Sequence, residues 1–103
     1  MSYVTLTQVK QALRQTHDED DELLERLIQS AETECRNFLG LDELPLIVDD
    51  QSSSVEILPH DITNGIILMV QADYDGDPLM RDKLRAAAES LWMPYAERDR
   101  TWL

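Results

Sequence analysis

The chain has 103 residues, 43% of them hydrophobic and 29% charged, with a net charge of −12. This length suits one domain, which buries roughly 60–68% of its unfolded surface on folding, and the composition is globular, not disordered. Twenty-one acidic against nine basic residues argue against phosphate binding by the isolated chain, because that needs a basic surface. Only three glycines and six aromatics are present, which favours helices over a sandwich or barrel. The single cysteine, Cys35, rules out an internal disulfide and suits a reducing, cytoplasmic setting. The start "MSYVTLTQVK" has neither the basic nor the apolar region of a secretion signal, so none is expected. The longest apolar run, "IILMV" at 66–70, is far too short to cross a bilayer.

The first predicted element is a short helix over 6–15, ending near His17. Thr5 and Gln8 have capping-box spacing, and Val4 and Val9 have the spacing of a hydrophobic staple. Leu6, Val9, Ala12 and Leu13 fall on its inner face. In "THDEDDELLERL" the acidic run 18–22 precedes apolar residues at Leu24, Leu27, Ile28, Ala31, Cys35, Phe38 and Leu39, whose three- and four-residue steps make an amphipathic helix. The run then reads as the N-terminal end of that helix, where free N–H groups and the dipole favour negative charge by about 0.3–1 kcal/mol per carboxylate. Gly40 supplies its end, after about 20 residues and roughly 30 Å.

Next, "LPLIV" and "VEIL" flank "DDQSSS", the pattern of a short hairpin or ordered loop. Two strands alone are marginal, so this part must lean on the helices or on a partner. Pro59 suits the first turn of a third helix. Its run "DITNGIILMVQADY" is apolar on most sides, as expected of a helix that is central or packed against another subunit. A turn at "DGDP" leads to the fourth helix, "LMRDKLRAAAESLW", with Leu84, Ala87, Ala88 and Leu91 inward and Pro94 ending or kinking it. The expected class is mainly all-α: one domain over 1–103, a small four-helix bundle with a loop or short hairpin between its second and third helices.

Three constellations have a chemical reading, and a structural one explains each better. His17 with Asp18, Asp20 and Asp21 offers ligand types, but structural metal sites need more ligands and a supporting shell; a solvated helix start suffices. "DYDGDPLMRDKL" has three aspartates at calcium-loop spacing, yet Pro78 and Leu84 stand where that loop needs glycine and glutamate. Cys35 lies on an apolar stripe, which fits a buried inert thiol better than a nucleophile paired with His17 or His60. No phosphate loop or nucleophile elbow is present, so neither an enzyme nor a cofactor is expected.

Charge is more informative. Residues 1–36 carry a net −4, residues 37–80 a net −9 without one lysine or arginine, and residues 81–103 a net +1. A head-to-tail contact would set the basic end of one copy against the acidic middle of the next, and such heterologous contacts close into rings when the rotation allows. Candidate contact residues are Ile67, Arg81, Arg85, Tyr95, Arg98, Arg100, Trp102 and Leu103. The loop 45–58 and the segment from Tyr95 onward are the parts expected to reach neighbours.

The succession "VTLTQVKQALR", "HDEDDELLERLIQSAETECRNFLG", "LPHDITNGIILMVQADYDGD" and "LRAAAESLWMPYAERD" resembles the small head–tail connector proteins of long-tailed phages, also labelled possible DNA-packaging proteins. The similarity covers nearly the whole chain and rests on helix caps and core residues: "LLERLIQSA" with Phe38, Leu39 and Gly40, the proline-led apolar helix ending at Tyr74, and "LWMPY". It departs after Tyr74, where the family has a basic residue and this chain has Asp75, Gly76 and Asp77. The resemblance implies a ring-forming subunit beneath the portal, with a dodecamer among the options, assembled in solution or only on the portal. Its implied partners are other copies, the portal protein and a head-closure or tail-completion protein, in the virion and, during assembly, the host cytoplasm. DNA would pass through without specific binding; no membrane is involved. Asp49, Asp50 and Glu56 are the candidate channel-facing acids, since an acidic wall repels phosphates. Rival readings are an acidic DNA mimic that blocks a nucleic-acid enzyme, a small DNA-packaging accessory protein and, least supported, a metal-dependent enzyme.

Overall fold

Among the described residues, four helices and one two-stranded ribbon appear in the expected order. A computed structural model describes residues 3–49 and 52–97, with the backbone alone described at 48, 49, 52–55 and 97. The elements are α1 (Leu6–Leu13), α2 (Asp21–Leu39), β1 (Ile47–Asp49), β2 (Ser52–Ile57), α3 (His60–Asp75) and α4 (Pro78–Glu97).

The sequence signals at the helix ends act as expected, with local differences. Thr5 Oγ1 accepts from the Gln8 N–H at 3.1 Å and the Thr5 N–H donates to Gln8 Oε1 at 2.9 Å, a complete capping box. Val4 and Val9 are both buried. α1 stops two residues sooner than predicted, because Arg14 turns left-handed at φ 58° and its N–H bonds back to Gln11. Ala12, predicted to face inward, is exposed. Asp18 and Asp20 precede α2 instead of lying within it. Asp20 makes no capping bond, and only Asp21 and Glu22 sit in the first turn. Gly40, at φ 74°, ends α2 with its N–H on the carbonyls of Arg36 and Asn37.

Pro59 caps α3 from one position before the helix. Pro78 opens α4, and Asp77 Oδ1 accepts the Leu79 N–H at 3.1 Å. α4 runs on through Pro94 to Glu97, where the sequence suggested an end or a kink. Pro94 lies on the exposed side, where water can reach the carbonyl that proline leaves unpaired. The inner stripe of α4 is Ala88, Trp92 and Ala96 with half-buried Leu84 and Leu91; Ala87 faces outward.

α3 is the central element, packed against α1, α2 and α4. Ile62, Ile66, Met69, Val70 and Ala72 are buried, and Ile67, Leu68 and Tyr74 are half-buried against the same core. Of the two placements expected for α3, central or packed against another subunit, the described residues show the central one, with its apolar sides buried or half-buried by its own chain. α2 and α4 run antiparallel to α3, as cross-contacts fix. Tyr74, at the end of α3, bonds Asp20, before α2 begins. Trp92, late in α4, donates from Nε1 to the Ile62 carbonyl at 3.3 Å, early in α3.

Gly65 makes this last contact possible. A Cβ there would stand 2.2 Å from Trp92 Nε1, so only glycine lets the indole lie against the helix. Mid-helix glycine costs about 0.5–1 kcal/mol relative to alanine; complete burial of Trp92, with Phe38 at a ring separation of 5.8 Å, offsets that.

β1 and β2 form an antiparallel ribbon in which Ile47 pairs Ile57 and Val48 pairs Glu56. The register then slips between Val48 and Asp49, so that Asp49 pairs Ser52. Among the described residues the strands contact each other and approach no helix backbone closely.

Candidate assembly surface

The two ends of α3 differ in how their polar groups are matched. At its C-terminal end the charges are paired within the chain. Asp73 lies 3.2 Å from Arg81 and 3.4 Å from Arg85, and Arg85 also reaches Glu34 at 2.5 Å, tying α2, α3 and α4 together. Burial disfavours the Arg85 charge, but the Glu34 and Asp73 carboxylates outweigh this and leave its pKa raised. Lys10 lies 2.8 Å from Asp18 and 2.9 Å from Asp21. Its bonds to these two carboxylates raise the ammonium pKa, and its bond to Asp18 lowers that aspartate's. Tyr74 donates to Asp20, and that bond raises the phenol pKa. The calcium-like stretch is thus used for helix connection, with Asp73 on two arginines and Asp77 as a cap.

The opposite end holds acidic groups and exposed apolar side chains. A cleft of about 350 Å³ opens there between the ribbon base and the first turns of α1 and α3. Tyr3, Leu46, Ile57 and Leu58 supply its apolar wall, and Glu56, His60 and Thr63 are among its polar lining. Tyr3, Leu46 and Ile47 are all exposed large apolar residues. Elsewhere, Leu79, Met80 and Met93 are exposed on α4 and Leu23 on α2, scattered in the manner of ordinary surfaces.

A buried carboxylate holds one cleft wall in position. Glu32, only 6% exposed, accepts the N–H groups of both Tyr3 and Val4 at 2.8 Å through one oxygen. Sequence reading missed this residue, because a glutamate one step past Ala31 looks like a solvated position, and its partners lie 28 and 29 residues away. A glycine inside an apolar helix, Gly65, was the available signal for the Trp92 contact. Cys35 is fully buried, and burial pushes its thiol up to about 12, consistent with an inert packing role.

The predicted contact residues are dispersed. Arg81 and Arg85 serve the internal ion pairs, with Arg81 still half-exposed. Ile67 and Tyr95 pack half-buried on the core. Glu56 is exposed at the cleft, and Asp49 is placed by its backbone in β1. Asp50, Arg98, Arg100, Trp102 and Leu103 lie outside the described residues. Among the described residues no cluster of three or more His, Cys, Asp or Glu side chains could hold a metal, and no helix is long and apolar enough to cross a membrane.

No curated protein and no solved structure matches the chain. A family comparison does match, over residues 3–90, which takes in α1, α2, the ribbon, α3 and α4 as far as Ser90. With that span, its helix order and its caps accounted for, the chain belongs to the phage gp6-like head-tail connector protein family.

Proposed function

We propose that this chain is a subunit of a ring below the portal, where it extends the DNA channel and docks head-closure or tail-completion proteins. Family membership, over residues 3–90, carries this reading. The family is structural and its members are virion components that assemble with other virion proteins; the ring, the portal and the tail partners are the proposed detail. Charge supports the channel role. Residues 37–80 hold nine acidic residues and no lysine or arginine, and a surface of that sign repels phosphates, letting DNA slide past without being held. Asp49, Asp50 and Glu56 are the proposed channel-facing acids. The loop 45–58 and the residues from Tyr95 onward are proposed to reach neighbouring copies or the portal, and assembly is proposed to take place in the host cytoplasm.

The test is direct. The purified chain is mixed with the portal protein of the same phage and imaged by negative stain. Added ring density on one end of the portal is expected, and its absence overturns the proposal. The acidic middle also suits a DNA mimic. That reading predicts salt-sensitive inhibition of a nuclease by a chain that stays monomeric with or without portal.

A further inference from the structure

Residues 3–13, the stretch before α1 and α1 itself, form an arm with its own seat on the bundle. Val4 and Val9 are its buried side chains, and Leu6 and Leu13 lie half-buried on the core. Glu32 of α2 accepts the Tyr3 and Val4 N–H groups, and Lys10 rests on Asp18 and Asp21. Among the described elements the backbone of α1 comes close to α2 and α3, and not to α4 or the ribbon. The other three helices are joined without the arm. Trp92 seals α4 to α3, and Arg85 ties Glu34 of α2 to Asp73 of α3. The seat is therefore a property of α2 and α3 that every copy carries, and the structure already shows the segment that fits it.

The hinge adds a second argument. Residues 14–20 join the arm to α2 and are exposed apart from half-buried Gln15 and Asp20. Arg14 opens this hinge at φ 58° and ψ 39°, the one non-glycine with a positive φ among the described residues. A residue with a Cβ is disfavoured in that left-handed turn, so folding the arm back loads the hinge and opening it unloads the hinge. A short loaded hinge beside a self-fitting arm is the arrangement that lets copies exchange an element. Drawn straight, residues 14–20 span at most about 25 Å. The molecule measures 20 Å across its thin direction, so the arm reaches the same seat on a copy packed at its side. Exchange remakes every contact the closed arm makes. The balance then rests on the hinge and on local concentration, which rises where a particle gathers copies.

We propose that in the assembled ring each copy passes residues 3–13 to the seat on the next copy, and that the closed arm is the form of the free chain. Glu32 of one copy then accepts the Tyr3 and Val4 N–H groups of its neighbour, and Asp21 of that copy takes the neighbour's Lys10. This rests on the ring reading above and names a contact that links its subunits. An exchange passed in one direction is heterologous, so it closes only when the last copy hands its arm to the first.

Isotope mixing tests it with the full chain. Copies grown on light and on heavy nitrogen are mixed in equal amounts, added to the portal protein of the same phage and treated with a carbodiimide, which joins an ammonium to a touching carboxylate as an amide. Lys10, 2.8 Å from Asp18 and 2.9 Å from Asp21, is in place for this, and Lys83 is the one other lysine. Trypsin then cuts after Arg14 and Arg26, so peptide 1–14 stays joined to peptide 15–26. Pairs with one light and one heavy half are expected on the portal, and unmixed pairs in the dilute free chain. Unmixed pairs on particles that carry ring density overturn the exchange and leave the ring standing, and mixed pairs at the same level before portal is added overturn the switch from closed to exchanged arm. A wild-type chain that adds no ring removes both readings. Arg14→Gly lets the hinge rest in its left-handed turn and should raise about tenfold the chain concentration at which mixed pairs appear; no rise overturns the loaded hinge and the exchange it drives.

Discussion

The seam between α3 and α4 and the segment 41–61 are built to opposite rules. In the seam each feature is answered within the chain: Gly65 yields to Trp92, the indole N–H meets the Ile62 carbonyl, and Asp73 meets two arginines. In the segment, six acids have no cation beside them in sequence, and Leu46 and Ile47 stay exposed beside a cleft. The seam determines the fold. The segment joins the core only at its flanks, through buried Leu44 and Leu58 and half-buried Leu41, while its strands approach no helix backbone closely.

Substitutions can break or sharpen that contrast. The largest effect belongs to Trp92→Ala, which empties the centre of the seam and should cost about 3–5 kcal/mol in a denaturant melt. Gly65→Ala comes next, at about 1–3 kcal/mol, since the new methyl must displace a fully buried ring; Trp92→Phe in the same chain should recover part of that loss. Glu32→Ala strands two N–H groups beside the cleft and should cost about 1–3 kcal/mol, with Glu32→Gln milder because it keeps an acceptor.

The Tyr74 bond gives a pH test. Its folded pKa is raised above the ordinary 10.0 by Asp20, so its stabilising contribution is complete below pH 10.0 and is lost as pH rises through the higher folded value. Tyr74→Phe should abolish that alkaline loss, read as the midpoint shift between neutral and alkaline melts. The smallest effect is expected at Glu56→Gln in the exposed segment, within about 0.5 kcal/mol. A large loss there would show the segment to be part of the fold and would dissolve the contrast.

Much of the bundle was legible because its signals are local. Thr5 with Gln8, Gly40, Pro59 and the three- and four-residue apolar steps each report on backbone within one or two turns. Errors came where distant contacts decide. Asp18 left α2 for Lys10, eight residues earlier, and α4 outlasted Pro94 because Tyr95 and Ala96 still pack on the core. α3 looked too apolar for one small domain until three helices covered it. The cleft was the least legible part. It joins residues from α1, the ribbon and α3, and no spacing rule connects Tyr3 with Leu46 or Thr63. Its acidic character, in contrast, could be counted from composition, which is why Glu56 was singled out and Glu32 was not.

The slipped register of the ribbon has its own consequence. A two-stranded ribbon presents two bare edges, and any particle that gathers many copies would bring those edges close at high local concentration. Regular edges invite strand-on-strand fusion, while an irregular one twists away and offers a poor template. The break between Val48 and Asp49 makes this edge irregular, and so a poorer template for pairing with the strand of a crowded neighbour than a regular edge would be.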